Sequence, residues 1–170
     1  MSKWYYAPPI PVPALEIALV PLGHGRFAII DLDDADRVGR HNWSCGKHNR
    51  YATASIDGRN VYLHRYIHGD VANVQVDHIS GVRLDYRKTN LRSATALQNW
   101  QNRRKQRNTS SQYKGVSWSY SARRWIARIG ASGKRYIGRF TTEREAALAY
   151  DKEAKLLYGE FAACNFPRTD

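Results

Sequence analysis

Short β-prone runs separated by tight turn signals constrain the fold of this 170-residue chain more than any other feature. Two pairs of runs occupy the first half: 16–20 with 26–31, and 51–56 with 60–63. The first pair flanks Gly23-His24-Gly25 and the second flanks Asp57-Gly58, a dipeptide typical of two-residue hairpins. We therefore predict two β-hairpins here, followed by one helical turn at 64–68 and a further strand at 74–79. Residues 1–13 are rich in proline, which predicts an irregular lead-in.

The last third of the chain has a more regular pattern. Three β-prone runs cover 113–118, 125–129 and 135–140. Thr142-Glu-Arg-Glu145 then has the form of a helix capping box, and Gly159 stands where the helix should end. One face of this helix is small and apolar: Ala146, Ala147, Tyr150, Ala154 and Leu157. Three antiparallel strands and one helix predict a small unit of the α+β class.

A second helix is expected from Ala94 to about Lys105, capped by Ser93, with Leu97 and Trp100 on its apolar side. The polar and basic stretch that follows has no periodicity. We therefore predict a first domain over 1–106, a basic linker over 107–112 and a second domain over 113–170.

The charge is distributed unevenly along the chain. The formal net charge is +12, and no Asp or Glu occurs between Tyr86 and Thr142, where 14 Lys or Arg are found. Aromatic residues are interleaved with these cations, which suits contact with phosphates and bases together. Nucleic acid is therefore the expected partner.

Other classes of protein are excluded or disfavoured by the sequence. No run of 18 apolar residues is present, and the N-terminus lacks the pattern of a signal peptide. Cys45 and Cys164 are too few and too far apart for a disulfide framework or a zinc box. We expect a reduced, cytoplasmic protein.

Residues suited to phosphodiester hydrolysis are concentrated between positions 76 and 99. His78 offers a base whose ordinary pKa is near neutrality. Asp77 and Asn99 offer oxygen ligands of the kind that Mg²⁺ prefers. Since neighbouring residues of a strand point to opposite faces, Asp77 and His78 share a site only if the strand ends there, and Ser80-Gly81 supplies a turn.

The segment VDHISGVRLDYRKTNLRSATALQNWQNRR, with VYLHRYIHG upstream, resembles the HNH family of nucleases and its phage homing-endonuclease branch. The resemblance implies a ββα-metal core over about 60–105, with His78 as general base and Asp77 and Asn99 as ligands of one Mg²⁺ or Mn²⁺ ion. Asn90 is then the residue that ties the loop across the motif and orients the base. The third position is Asn rather than the His that names the family, so soft metals should bind less well.

Several neighbouring residues are open alternatives for this site. Asn102 is a substitute ligand for Asn99, three residues further along the predicted helix. His64 and His68 have the spacing of a helical metal pair, although packing or a phosphate contact is the simpler interpretation for His64. Arg83 or Arg87 is a candidate for contact with the scissile backbone.

Residues 113–167 resemble the Apetala/ethylene-response-factor type of DNA-binding domain. The matching pieces include Tyr113-Lys-Gly-Val116, Trp125-Ile-Ala-Arg-Ile129 and Tyr136-Ile-Gly-Arg-Phe140. The resemblance implies a sheet that packs one face on the helix and lays the other in the major groove of double-stranded DNA. The DNA contacts it predicts are Lys114, Trp118, Arg128, Lys134 and Tyr136, with Arg123, Arg124 and Arg139 beside phosphates. The basic residues Arg103, Arg104 and Lys105 are expected to follow the DNA backbone.

Together these patterns predict a metal-dependent, sequence-directed DNA endonuclease of homing type. A single active site on an asymmetric chain predicts a monomer that nicks one strand and leaves 5′-phosphate and 3′-hydroxyl ends. The alternative is a non-catalytic DNA-binding regulator with a decayed nuclease core. An RNA-binding protein is a third interpretation, which a broad sheet disfavours because the major groove of A-form RNA is narrow.

Overall fold

A computed structural model describes residues 7–46, 50–69, 74–103, 105, 109–130 and 135–166. Small antiparallel sheets and a few helices make up the chain, in agreement with the α+β class. The chain forms two compact units, residues 1–94 and 95–170. This division follows Ala94, whereas the sequence suggests a linker at 107–112, of which residues 107 and 108 lie outside the described part.

In its described residues, the first unit has three small sheets and two short α-helices. Its elements are β1 (Ile10–Val12), β2 (Ile17–Pro21), β3 (Phe27–Asp31), α1 (Ala35–Val38), β4 (Thr53–Ile56), β5 (Arg59–Tyr62), α2 (Leu63–His68), β6 (Gln75–His78) and β7 (Leu91–Ala94). The hairpins β2–β3 and β4–β5 are antiparallel, as predicted. Asp57 and Gly58 both have positive φ, 50° and 74°, which is the backbone that a tight hairpin turn requires.

Two sequence predictions for this unit are wrong. The proline-rich lead-in is not irregular throughout, since Ile10–Val12 pairs with Ile17–Leu19 as an edge strand, where a proline is tolerated. The segment around Ser93 is not a helix start, because Leu91–Ala94 is strand β7, antiparallel to β6. The capping residue instead is Thr95.

A common core joins the N-terminal sheet to the rest of the first unit. Alternate residues of β2 and β3 turn inward, with Ala18, Ala28 and Ile30 fully buried. Leu63 of α2 and Leu91 of β7 pack into the same cluster. Residues 10–31 therefore form a separate sheet that supports the β6–β7 ribbon through packing.

The second unit consists of helix α3 (Ala96–Gln101), strands β8 (Val116–Ser119), β9 (Arg124–Ile129) and β10 (Arg135–Phe140), and helix α4 (Glu143–Tyr158). The strands form one antiparallel sheet with β9 in the centre. The predicted capping box is present: Thr142 accepts from the Glu145 N–H and Glu145 accepts from the Thr142 N–H. Gly159 ends the helix with φ of 54°.

The small apolar face of α4 packs on the sheet through Ala146, Ala147, Tyr150 and Ala154, as expected. Leu157 does not join it and is 49% exposed. Helix α3 is shorter than predicted, and its Leu97 and Trp100 are exposed rather than buried. The packed surface of the second unit is therefore the sheet against α4.

None of the helices within the described ranges is long and apolar enough to cross a bilayer.

Candidate active site and nucleic-acid interface

The β6–β7 ribbon places Asp77 and His78 at its end. Asp77 lies opposite Arg92 and His78 lies opposite Leu91 in the antiparallel register. Strand β6 ends at His78, whose carbonyl oxygen accepts from the Gly81 N–H at 2.8 Å. Strand β6 therefore changes into a turn directly after these two neighbours. Both are buried, at 6% and 5% exposure.

Asn90 closes the loop that connects the two strands. Its Nδ2 donates to the carbonyl oxygen of Asp85 at 2.8 Å, and its Oδ1 accepts from the Ser80 N–H at 2.9 Å. Its own carbonyl accepts from the Ile79 N–H at 2.9 Å. One buried amide thus bonds both the beginning and the middle of the loop, and the residue next to His78 is held in place.

The N-terminal sheet holds the other side of the same loop. The Ile29 N–H of β3 donates to the Leu84 carbonyl at 2.8 Å, and the Tyr86 N–H donates to the Ile29 carbonyl at 2.7 Å. The Lys88 N–H donates to Oδ2 of Asp31 at 2.8 Å. The loop 79–90 is therefore bonded to a rigid strand as well as to its own ends.

A buried ion pair spans the two strands of the ribbon. Nε and Nη2 of Arg92 donate to Oδ2 of Asp77 at 3.1 and 3.0 Å. The side chains are 11% and 7% exposed. The guanidinium neutralises a carboxylate that would otherwise be costly to bury.

Aromatic rings surround His78. The ring centroids of Tyr86, His64 and Tyr51 lie 5.4, 5.7 and 5.9 Å from that of His78. Burial lowers the pKa of His78 to about 4, and the nearby Asp77 carboxylate opposes this shift. The imidazole is therefore unprotonated at neutral pH and is able to accept a proton.

His64 and His68 have separate surroundings. His68 Nε2 is hydrogen-bonded to Ser93 Oγ at 2.9 Å. The ring of His64 stacks on Tyr62 with centroids 5.4 Å apart, and burial lowers its pKa to about 4. The contacts of the His64 ring within the structure are thus with neighbouring aromatic rings and His78.

The two candidate arginines of the loop differ in their partners. Nε and Nη2 of Arg87 donate to the two oxygens of Asp85 at 2.8 and 2.7 Å. Arg83 instead lies over the ring of Tyr51, 5.7 Å from its centroid. Arg83 also contributes to the lowered pKa of His78, after burial and in opposition to Asp77 and Asp85.

The donor chemistry fits a hard cation better than a structural zinc ion. Within the described ranges no group of three or more His, Cys, Asp and Glu side chains is placed to hold a metal. Asp77 supplies one buried carboxylate, which is the number that Mg²⁺ often takes from protein while it keeps several waters. The predicted ligand Asn99 and its alternative Asn102 belong to the second unit, in α3 and at its C-cap.

The predicted DNA contacts of the second unit do not all lie on the same face of its sheet. Residues paired across antiparallel strands share a face, and Val116 with Ala127 marks the side packed on α4. Arg128 pairs with Tyr136, and Arg139 pairs with Ile126, on the opposite side. Arg124 lies on that same side and Arg123 occupies the preceding turn, with φ of 47°. We call Arg124, Arg128, Tyr136 and Arg139 the open face.

Two of the predicted contacts are placed elsewhere. Trp118 pairs with Trp125 and shares the helix-packed side, with the ring centroids 5.1 Å apart. Lys114 donates from Nζ to the Gln101 carbonyl at 2.6 Å, and burial lowers its pKa to about 8. Both side chains thus serve the packing of the second unit.

The basic segment after α3 is only partly described. Arg103 is exposed and Lys105 is half-buried. Arg104 and Lys134, also predicted to touch DNA, lie outside the described residues.

Sequence reasoning gave no role to Arg92, Asp85 or Tyr51. Arg92 would have been found if β7 had been recognised, since the register puts it opposite Asp77. Asp85 and Arg87 are two residues apart and of opposite charge, so the sequence alone could have predicted the ion pair between them. Tyr51 is 27 positions from His78 in the chain, and no local pattern joins the two.

Comparison with known proteins identifies a relative that matches most of the chain. An uncharacterised HNH endonuclease of Acanthamoeba polyphaga mimivirus is 35% identical over 154 residues, which are 86% of this chain and 79% of the relative. No protein-family model matches the chain, and no solved structure matches it at a significant level.

Shorter stretches match plant proteins. Dehydration-responsive element-binding protein 2A of Arabidopsis thaliana is 44% identical over 50 residues, 28% of this chain and 15% of that protein. APETALA2-like protein 2 of Oryza sativa subsp. indica is 42% identical over 69 residues, 40% of this chain and 16% of that protein. These are partial likenesses, whereas the viral relative is matched over most of both chains. The chain belongs to the HNH endonuclease family.

Proposed function

We propose that this chain is a metal-dependent DNA endonuclease of homing type that hydrolyses one phosphodiester bond per encounter. The observation that carries the proposal is the pair of buried neighbours Asp77 and His78 at the end of β6, in a loop that Asn90 closes. The unprotonated His78 lies near the Asp77 carboxylate. Hydrolysis of a phosphodiester needs a base that activates water and a ligand that holds the cation.

His78 accepts a proton from the attacking water. The water oxygen then bonds to phosphorus while the bond to the 3′ oxygen breaks. The 3′ oxygen takes up a proton from solvent water, which leaves 5′-phosphate and 3′-hydroxyl ends. Asp77 would hold the divalent cation, with Asn99 as a further predicted ligand. The cation, when bound, supplies positive charge to the scissile phosphate and to the leaving oxygen.

Asn90 and the N-terminal sheet keep the base in place during this step. Because Asn90 bonds Ser80 and Asp85, the backbone that follows His78 does not have to become ordered when DNA binds. The two β3 bonds to Leu84 and Tyr86 act in the same way. Mg²⁺ or Mn²⁺ is the expected cation, since the protein ligands are oxygen atoms.

The second unit is proposed to bind double-stranded DNA with its open face. Three arginines and a tyrosine project from one side of a three-stranded sheet, and the major groove is wide enough to admit such a surface. The partial likeness to plant proteins named for element binding is consistent with this use. Trp118 and Lys114 are not part of the proposed surface, because both are engaged inside the unit.

Incubation of supercoiled plasmid with the wild type and with His78→Ala tests the proposal, in Mg²⁺, Mn²⁺ or EDTA. We expect the wild type to convert plasmid into open circles in either cation, and neither the variant nor the EDTA sample to do so. Open circles rather than linear DNA would indicate that the enzyme nicks one strand.

Binding without cleavage would support the other candidate function. If wild type and variant bind duplex DNA equally but neither cuts a plasmid or a genomic library in any cation, the nuclease proposal falls. The chain would then be a DNA-binding regulator on a decayed nuclease core.

A further inference from the structure

The Arg92–Asp77 pair is a buried ion pair between the two strands of the β6–β7 ribbon. Arg92 lies directly across the ribbon from Asp77, so its reach is fixed by strand register rather than by a mobile loop. Its Nε and Nη2 both donate to Oδ2 of Asp77, and the two side chains are almost fully buried. This geometry restricts the carboxylate to one orientation.

The charge of Asp77 must be compensated whether or not a cation is bound. A buried carboxylate without a counter-charge is strongly unfavourable, and removal of one partner of a buried pair is among the most destabilising substitutions known. A divalent cation would provide the same compensation when present. Arg92 provides it in the protein without metal.

We propose that Arg92 is a positioning residue that acts as the resident counter-ion of Asp77, so that the cation site is formed and oriented before any cation arrives. This inference rests on the proposed role of Asp77 as a cation ligand. The site then has no metal requirement for folding, in contrast to small domains that fold only around a metal ion.

A matched control lies in the same unit. Arg87 also makes two bonds to a buried carboxylate, that of Asp85. Asp85 accepts the Arg87 bonds but is not a proposed cation ligand. Arg87→Gln therefore shares the loss of a counter-charge with Arg92→Gln, although the Arg87 side chain is more exposed, at 42% against 11%. The response of each variant to a cation, measured against its own melting temperature in EDTA, is the comparison that counts.

Thermal unfolding of the full chain in EDTA and in millimolar Mn²⁺ tests the proposal. In EDTA we expect Arg92→Gln to melt roughly 10 °C below the wild type, because a buried carboxylate loses its guanidinium partner in a chain of this size. Addition of Mn²⁺ should restore about half or more of that loss in Arg92→Gln. It should restore none in Arg87→Gln.

Two further variants keep the result interpretable if Arg92→Gln fails to fold. Arg92→Lys retains the charge and should keep most of the EDTA stability, while it loses the fixed two-donor geometry. Asp77→Asn/Arg92→Gln removes both charges, so it should melt above Arg92→Gln in EDTA and should not respond to Mn²⁺. An Arg92→Gln protein as stable as the wild type in EDTA would overturn the proposal. So would equal responses to Mn²⁺ by Arg92→Gln and Arg87→Gln.

The measurement uses neither DNA nor turnover, which separates this inference from the nuclease proposal. If the wild type cuts no DNA but Mn²⁺ specifically restores the stability of Arg92→Gln, the nuclease proposal fails and the proposed cation site stands. If the wild type nicks DNA but Mn²⁺ does not specifically restore the stability of Arg92→Gln, the nuclease proposal stands and the proposed role of Arg92 fails.

Discussion

Two arginines of the 79–90 loop have different electrostatic surroundings. The guanidinium of Arg87 is neutralised by Asp85, and the Asp85 pairing also holds the pKa of that carboxyl below its usual value. Arg83 forms no ion pair with any residue that the structure describes, and its guanidinium lies over Tyr51. Tyr51 in turn contacts His78. Arg83 is therefore the loop cation that remains available to a phosphate beside the base.

We predict that Arg83→Gln lowers the rate of plasmid nicking by about 10²-fold, the usual cost of losing one donor that stabilises developing charge. Lys88→Gln, which removes an equal charge from an exposed position of the same loop, should change the rate little. The measurement is initial nicking rate at saturating plasmid. Equal losses in the two variants would mean that only net charge matters.

Residues of the site that lie close together in the sequence could be predicted, whereas residues that reach it from distant parts of the chain could not. Asp77, His78 and Asn90 were predicted as one group through the resemblance to the HNH family, and the structure places these three at the end of the ribbon. Tyr51 and Ile29 approach the site from strands and turns far away in sequence, through tertiary packing alone. The Asn99 ligand role stays a prediction.

At the scale of single elements, the strand β8 depends on one glycine that precedes it. Gly115 has φ of +76°, and a Cβ placed there would lie 2.0 Å from Cδ2 of Tyr150 and 2.8 Å from the Arg128 carbonyl oxygen. Gly58 has a similar φ of +74° but has nothing within 4 Å of such a Cβ. The two positions share backbone strain and differ in available space.

We therefore expect Gly115→Ala to destabilise the second unit by about 3–5 kcal/mol, from left-handed strain plus overpacking. Gly58→Ala should cost about 1–2 kcal/mol, because only the strain applies. Urea unfolding followed by circular dichroism gives both values. If the two costs were the same, close approach of Tyr150 to the strand would not be what requires glycine.

If DNA binds to the open face, removal of an arginine should weaken DNA binding on one side of the second unit's sheet and not on the other. Arg128 is exposed on the open face, whereas Arg135 is paired with Glu153 of α4 on the other side. Arg128→Gln should weaken binding to duplex DNA and reduce the slope of log affinity against log salt by about one. Arg135→Gln should leave the slope unchanged. A reversed order of effects would place the DNA on the helix side.

The elements themselves were predictable where turn and cap chemistry is strong. The hairpin at Asp57-Gly58 and the capping box at Thr142 were both predicted correctly, since each is fixed by local backbone requirements. Strand β7 and the edge strand β1 were missed. Both are short, and each exists because a neighbouring strand pairs with it. Such pairing has no signature in the segment alone.

On the scale of the whole molecule, two histidines, the buried His78 and the half-buried His64, make stability sensitive to acid. Burial lowers the pKa of His64 and of His78 to about 4, against about 6.5 in an unfolded chain. The unfolded state therefore binds protons first as the pH falls. Stability is fully present above pH 6.5 and is lost between pH 6.5 and 4, at up to about 1.4 kcal/mol per pH unit for each histidine.

We expect the urea midpoint to fall through this window, and His64→Gln to make the fall shallower by about half. His24→Gln, at an exposed turn position, should follow the wild-type curve. Equilibrium unfolding at a series of pH values from 7 to 4 provides the comparison. A wild-type midpoint that stays level down to pH 4 would show that these rings are not buried as neutral groups.

The bonds between β3 and the 79–90 loop have a consequence for motion. The amides of Ile29 and Tyr86 each donate across this junction, one in either direction. For the loop to open, the edge of the N-terminal sheet and the shared core would have to open with it. Hydrogen exchange at these two amides should then proceed only through global unfolding of the first unit, and the loop that carries the base would be among the slowest-exchanging connections in the molecule.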